Sequence, residues 1–305
     1  LSSAVVLGLL EHRSQGRFGL GPLGVPMAQH PGIAQMVEHN HLLYQDMQDP
    51  LQFLADAWQG GMAEYWPYAH APTPPAPTAS EQDKFTRYSE LMAASQGFVV
   101  QEILSSYAFD EHRCVLDVGA GRGRFVSEMA AHAPHLQFKL FDLPPVLLLA
   151  RENLQAQGLS ERAQMHPGSF LDDPLPEGAD LITLVRVAHD HPDAVVRQIL
   201  KKAYDALPAG GTMLLAEPMA QAEPLSGRED AAVDAYFHFY LLAMGDGRLR
   251  TPQELMVMLR EAGFTMVELL IALGLGLLLL LAVSAVFLGS RQSFRTQEGM
   301  SQLQE

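Results

Sequence analysis

Between Val115 and Phe125 the run VLDVGAGRGRF sets an acid near the end of an apolar strand, then three glycines, Gly119, Gly121 and Gly123, at every second position. Glycine lets the backbone turn tightly and approach a ligand closely, because no Cβ blocks positive φ. The stretch FVSEMAAHA that follows reads as a helix, so its N-terminal amides face whatever occupies the loop. Asp117 stands just before the loop, where a carboxylate suits a cationic amino-acid group better than a phosphate. Arg124 occupies the position where the dinucleotide fingerprint GxGxxG needs its last glycine, which argues against a nicotinamide cofactor. The next strand, FKLFDLPP, ends in Asp142, 23 positions after Gly119, where an acid can take both hydroxyls of a ribose. Two acids around a glycine loop favour S-adenosylmethionine.

A second group of reactive side chains lies in LVRVAHDHPDAVV, where a strand delivers His189, Asp190 and His191. A neutral imidazole near its ordinary pKa of about 6.5 can take a hydroxyl proton as the oxygen attacks a sulfonium methyl, which makes His189 the candidate base. After the turn LPAGG the next strand ends in Glu217, a residue able to hydrogen-bond the far imidazole nitrogen and fix its tautomer. Spacing alone leaves a plainer alternative open, in which His189 caps the helix beginning near Pro192 and Glu217 is a solvated strand end. His189, Asp190, His191 and Asp193 crowd one loop without a partner cluster, a poor match to metal-ligand spacings, so no metal is expected.

The elements that position these residues alternate. From Cys114 onward VLDVGA, FKLFDL, AQMHPG, DLITLVRV and GTMLLAEP read as strands separated by helical patterns. That order predicts an α/β fold, a doubly wound Rossmann-like parallel sheet with helices on both faces and a ligand at the carboxyl ends of the strands. Gly119, Asp142, His189 and Glu217 all fall at that edge. Ahead of the sheet, AVVLGLLEHRSQGRFGLGPLG predicts a short helix, a turn and a glycine-punctuated, strand-like stretch. Apolar residues then recur at helical spacing from Pro26 to about Ala69, the proline-rich loop APTPPAPTAS interrupts them at Ala71 to Ser80, and a second helix follows. With 305 residues, 48% apolar and 18% charged, the chain has room for one large or two smaller domains. A net charge of -15 argues against nucleic acid as a partner, since phosphate binding needs a basic footprint. The one cysteine, Cys114, forbids an intrachain disulfide and favours a reducing compartment. The chain opens at Leu1 with neither an initiator methionine nor a signal-peptide pattern, and the expectation is that its true beginning is missing.

Taken together, VLDVGAGRGRF, FDLPP, VRVAHDHPD, LPAGGTMLLAEPM and GDGRLRTPQEL resemble the S-adenosylmethionine-dependent O-methyltransferases of the plant caffeate and bacterial carotenoid type. YSELMAASQ and DAYFHFYLLAMG draw the likeness toward the bacterial hydroxyneurosporene O-methyltransferases, over roughly Leu1 to Gly263. The resemblance implies a cytoplasmic homodimer acting on a lipophilic hydroxylated small molecule, a hydroxycarotenoid. It implies His189, Glu217 and Asp190 as catalytic residues, and Asp117, Gly119, Gly121, Gly123, Asp142, Leu143, Ser169, Phe170 and Arg186 around the cofactor. The expected domains are a winged-helix remnant at 1–24, a helical connecting and substrate-side region at 25–110, and a cofactor-binding catalytic domain at 111–262. Met92, Ser95, Tyr236, Phe239, Tyr240 and Met244 are the expected substrate lining, although aromatics at helical spacing are more often ordinary core. Leu249 stands where plant relatives carry a second glutamate beside the base, and Ser169 where many relatives carry an adenine-binding aspartate.

After Gly263 the chain changes character. The 21 residues from Leu269 to Gly289 carry no charge, a length that spans a bilayer and predicts a long C-terminal hydrophobic helix over 263–305 with membrane contact through 264–289. GFTMVELLIAL resembles the N-terminal segment of type IV prepilins, with Gly263 before the cleavage point, Phe264 as the new N-terminus and Glu268 as its fifth residue. This second resemblance implies anchoring to the inner membrane and an alternative function as a minor pilus component. It also implies a fusion of two unrelated segments at a shared Gly-Phe dipeptide.

Overall fold

The computed structural model describes residues 1–29, 31–55, 60–65, 86, 88–89, 91–93, 96–220, 228–245 and 247–265. The described residues divide into two compact units, one within 1–41 and the other within 42–265. In the first, helix α1 (Ser2–Val6) leads into an antiparallel hairpin of β1 (Leu10–His12) and β2 (Phe18–Leu20), followed by α2 (Gly24–Gln29). This is the expected helix, turn and strand-like stretch. Helix α3 (Pro31–Asp46) contains the boundary between the units.

The helical run expected from Pro26 to Ala69 is broken. After α3 come α4 (Pro50–Phe53) and α5 (Gly61–Tyr65) as separate short helices. The break has a polar cause, because the Asp46 carboxylate accepts hydrogen bonds from the Gly61 and Met62 amides at 2.8 and 3.0 Å. It thereby caps α5 from a distant part of the chain. The proline-rich loop lies outside the described residues.

The second unit holds a five-stranded parallel sheet in the order β5-β4-β3-β6-β7, built from β3 (Cys114–Val118), β4 (Gln137–Asp142), β5 (Ala163–Pro167), β6 (Leu181–Val185) and β7 (Thr212–Ala216). All five strands are those expected. Residues of one parity, Leu116, Val118, Ile182, Leu184, Met213 and Leu215, pack with α9 (Asp193–Ala206) and α11 (Pro252–Ala262). Val115, Phe138, Leu140, Leu181, Val185 and Leu214 pack on the other face with α6 (Gly97–Ser106), α7 (Arg124–His132) and α8 (Pro144–Ala156). Both faces are covered, which is why these strands read as near-continuous apolar runs. A third apolar cluster gathers Leu43, Phe53, Met62 and Tyr88 around Tyr240, Leu241 and Met244 of α10 (Arg228–Met244).

The chain winds outward from β3 to β5, then resumes on the other side at β6. The order therefore reverses between β3 and β6, and a crevice opens there at the carboxyl ends of the strands. Later in the chain, Thr251 and Glu254 form a reciprocal capping box at the start of α11. Gly263 closes that helix at φ 119°, its amide reaching the carbonyls of Leu259 and Arg260. Phe264 follows, 5% exposed, in T-shaped contact with Tyr204 of α9 at 5.3 Å.

Candidate active site

The glycine loop is fixed from both sides of the reversal point. Gly119 has φ 73°, and a Cβ there would lie 2.6 Å from a methyl of Val187, in the loop after β6. Any larger residue would therefore be strained in its backbone and would push against the segment that carries His189. At Gly121 a Cβ would meet nothing within 4 Å, so the loop crest borders open space. The Gly121 amide donates to Asp142 Oδ2 at 2.8 Å, and the Leu143 amide donates to Asp142 Oδ1 at 2.7 Å. Asp142 thus straps the loop to the tip of β4 while each carboxylate oxygen keeps further acceptor capacity.

Asp117 sits lower on β3, 3% exposed, and accepts a hydrogen bond from the Thr183 hydroxyl at 2.7 Å. Burial raises its carboxyl to about 7 against the Thr183 hydrogen bond, and the neighbouring Asp142 adds to the rise. Burial likewise raises Asp142 to about 6, opposed by the amides of Gly121 and Leu143. Two acids whose ionisation is suppressed by burial make a site that a cation relieves.

Beyond β6 the chain turns through a short 3-10 segment, Ala188–Asp190, that places His189 against the end of β7. Glu217 is 3% exposed and fully engaged. Its Oε1 accepts the Val187 and Ala188 amides, both at 2.8 Å, and its Oε2 accepts the His189 amide at 3.3 Å. The same Oε2 lies 2.7 Å from His189 Nδ1. The carboxylate thus fixes both the backbone and the ring of His189, and with Glu217 ionised it holds the proton on Nδ1. Nε2 faces Asp190 Oδ1 at 3.2 Å. Burial works to lower the His189 pKa, but Asp190 and Glu217 outweigh it and the net shift is upward. Burial also raises Asp190, against the attraction of His189. His189 does not cap α9, whose N-cap is Pro192 without a side-chain hydrogen bond.

Other expected residues take varied places. Ser169 stabilises its own turn, its hydroxyl accepting the Leu171 amide at 3.2 Å while its amide donates to Asp173 at 2.8 Å. Phe170 stands edge-on to His191, ring centroids 5.1 Å apart. Arg186 adopts φ 57°, a left-handed conformation rare for a residue with a side chain, at the carboxyl end of β6. Met92 and Tyr236 pack against the cluster that holds Tyr240 and Met244, whereas Phe239 is 37% exposed. Leu249 is buried in the same apolar cluster. Gly263 and Phe264 belong to the α11 terminus and its core contact. Ser95 and Glu268 lie outside the described residues, as does the apolar segment from Leu269 to Gly289. Among the described residues no helix is long and apolar enough to cross a membrane.

Two residues of the site escaped sequence reasoning. Phe237 sets its ring 5.7 Å from that of His189 and stacks on Tyr240. Its spacing with Tyr240, Leu241 and Met244 on one helical face was the available signal. Arg250, 2% exposed, donates to the carbonyls of Ala188 and His191 on either side of the base. It lay in a run that looks polar and exposed.

A parallel sheet that reverses beside a glycine loop, with an acid at the second strand and a histidine–glutamate pair at the fourth and fifth, defines a Rossmann-like methyltransferase fold. Human N-acetylserotonin methyltransferase, solved in complex with S-adenosylmethionine, shares this fold at a TM-score of 0.64 and 22% identity, over 87% of this chain and 76% of that one. The family model described as an O-methyltransferase domain matches residues 51–265. The chain belongs to the S-adenosylmethionine-dependent O-methyltransferase family. Demethylspheroidene O-methyltransferase of Rhodobacter capsulatus is 40% identical over 268 residues, 88% of this chain and 64% of that protein. The Cereibacter sphaeroides protein of the same name is 38% identical over 88% of this chain and 69% of its own length. A second model, the prokaryotic N-terminal methylation motif, matches residues 258–284 and so overlaps the first.

The family's cofactor is cationic at its sulfonium, and the two suppressed carboxyls fit it. Its affinity is expected to fall roughly tenfold or more between about pH 7.5 and pH 5.5, with protons released on binding, as Asp117 and Asp142 protonate in the free protein. Calorimetry in two buffers of different ionisation enthalpy measures both effects. Without ligand the sign is opposite: the stability contributed by these protonated carboxyls is lost as pH rises through about 6 and about 7.

Proposed function

We propose that this chain transfers a methyl group from S-adenosylmethionine to a hydroxyl of a lipophilic acceptor, a hydroxycarotenoid, with His189 as general base. The observation that carries the reading is the buried His189–Glu217 pair at 2.7 Å, set at the same sheet edge as the glycine loop. The cofactor would be held by the glycine loop with Asp142, Asp117 and the loops of Leu143, Ser169, Phe170 and Arg186, and it supplies an electrophilic methyl. His189 Nε2 takes the acceptor's hydroxyl proton. Glu217 keeps the other nitrogen protonated, and Asp190 stabilises the imidazolium that results. Met92, Tyr236, Phe239, Tyr240 and Met244, with Phe237 beside the base, offer apolar surface to a long polyene. Each CH2 buried there contributes about 0.8 kcal/mol.

The partner in this reading is a second copy of the chain, joined through a winged-helix remnant formed by α1 and the β1–β2 hairpin. Exposed apolar side chains on that unit, Val6, Leu7, Leu20 and Leu23 among them, support it. The reaction is tested by incubating the full chain with methyl-labelled S-adenosylmethionine and either demethylspheroidene or a hydroxynaphthoate. Label in the polyene supports the whole reading; label in the naphthoate alone removes the carotenoid assignment, and label in neither removes the enzyme.

The match at residues 258–284 favours a second reading, a pilus component anchored in the inner membrane and cut after Gly263. The helix C-cap at Gly263 and the buried ring of Phe264 count against it, because they build the bond to be cut into the folded domain.

A further inference from the structure

We propose that Arg250 is a positioning residue for the reaction, holding the loop that carries His189 and Asp190 in its working geometry. This rests on the role given above to His189. A guanidinium has five N–H donors in a planar fork. Here Nε donates to Asp193 Oδ1 at 3.0 Å, while one terminal nitrogen donates to the carbonyls of Ala188 at 2.8 Å and Arg248 at 3.3 Å. The other donates to the carbonyl of His191 at 2.6 Å and lies 2.9 Å from Asp193 Oδ1. Ala188 and His191 bracket the His189–Asp190 pair, so one buried cation fixes both shoulders of the catalytic turn.

The backbone of Arg250 is tied to the neighbouring strand end. It bridges Met219 in parallel, and its carbonyl accepts the Ala220 amide at 3.0 Å, two to three residues past Glu217. Arg250 therefore couples the segment bearing the base to the segment bearing its orienter. Gly247 presses from the same side: a Cβ there would lie 2.5 Å from the His189 carbonyl oxygen. Close packing at Gly247 and four directed hydrogen bonds from Arg250, two of them to the turn itself, leave the turn little freedom, and displacement of a reacting group by about 1 Å can cost on the order of 100-fold in rate.

The test compares the full chain with Arg250→Lys, Gly247→Ala and a surface control, Arg197→Gln. Lysine keeps the charge but offers three donors from a point, so it cannot span both carbonyls and Asp193. Arg250→Lys and Gly247→Ala are expected to lower kcat by roughly 10- to 100-fold with little change in either KM. Both should speed amide exchange at residues 187–191 and move the His189 ring titration, whose neighbours include Glu217, Asp190, Arg186, His191 and Phe237. Arg197→Gln should do neither. Exchange and titration need no turnover, so they decide the bracing role even if wild-type protein methylates nothing. Unchanged exchange and kcat in Arg250→Lys would overturn the proposal, as would losses that merely track Tm or appear equally in the control. Should Arg250→Lys fail to fold, Gly247→Ala carries the same readouts with the guanidinium left in place.

Discussion

His189→Ala should lower turnover by roughly 100- to 10,000-fold while leaving cofactor affinity nearly intact. The partners of the imidazole among the described residues are Glu217, Asp190 and Phe237, so its removal deprives the acceptor hydroxyl of its base while leaving the hydrogen bonds of the glycine loop to Asp142 in place. Folding should survive, because Glu217 keeps the Val187 and Ala188 amides, and the His189 amide, after the ring is gone. Glu217→Ala is the harsher change, since it leaves four buried donors, three amides and the His189 Nδ1–H, without their acceptor. In wild-type protein kcat should decline as pH falls through the His189 pKa, and that inflection should lie above the ordinary histidine value of 6.5, because Asp190 and Glu217 hold the proton. An alanine variant with wild-type kcat, or one whose loss is confined to cofactor affinity, would remove the base assignment.

Asp142→Ala should weaken S-adenosylhomocysteine binding about 100-fold or more, measured by calorimetry. Two effects add. The variant loses an acceptor for ribose hydroxyls, and it releases the Gly121 and Leu143 amides that now donate to the two carboxylate oxygens. Asp142→Asn tests the second effect by itself. An amide presents one acceptor and one donor, so either Gly121 or Leu143 would face an NH2 group in place of an oxygen. The asparagine variant should therefore also bind weakly, although its shape is conserved. Wild-type affinity in Asp142→Asn would show that strapping the loop contributes nothing.

Much of this arrangement was legible because the sheet is buried on both sides. The strand LITLV of β6 is apolar at every position but Thr183, so a polar residue beyond the run, His189 or Glu217, stands out. The glycine spacing marked the loop for a similar reason, since left-handed backbone at Gly119 and Gly123 disfavours residues with a side chain. Arg250 was illegible because, Asp193 apart, its partners are backbone carbonyls, two of them about sixty positions earlier, and carbonyls carry no sequence signal. Asp142 was assigned to a ribose from its position alone. Its work within the protein, accepting two amides, depends on a loop conformation that residue identities do not encode. The helical pattern from Pro26 to Ala69 misled for a related reason: apolar periodicity continues across a break whose far side is capped by Asp46, 15 positions before Gly61.

The helix end at Gly263 bears on the overlap of the two family matches. A peptidase needs several residues of extended chain on both sides of the bond it cuts. Here the Gly263 amide is committed to α11, the Phe264 amide donates to the Leu259 carbonyl at 3.1 Å, and the Phe264 ring is seated in the core. Scission at that bond can proceed only from molecules in which this end of the domain has opened, so its rate follows the opening free energy and not the sequence match. Cofactor occupancy, by stabilising the closed form, would make such molecules rarer still. Were the bond after Gly263 a processing site, folding of the eight residues shared by the two matches, 258 to 265, would compete with its cleavage.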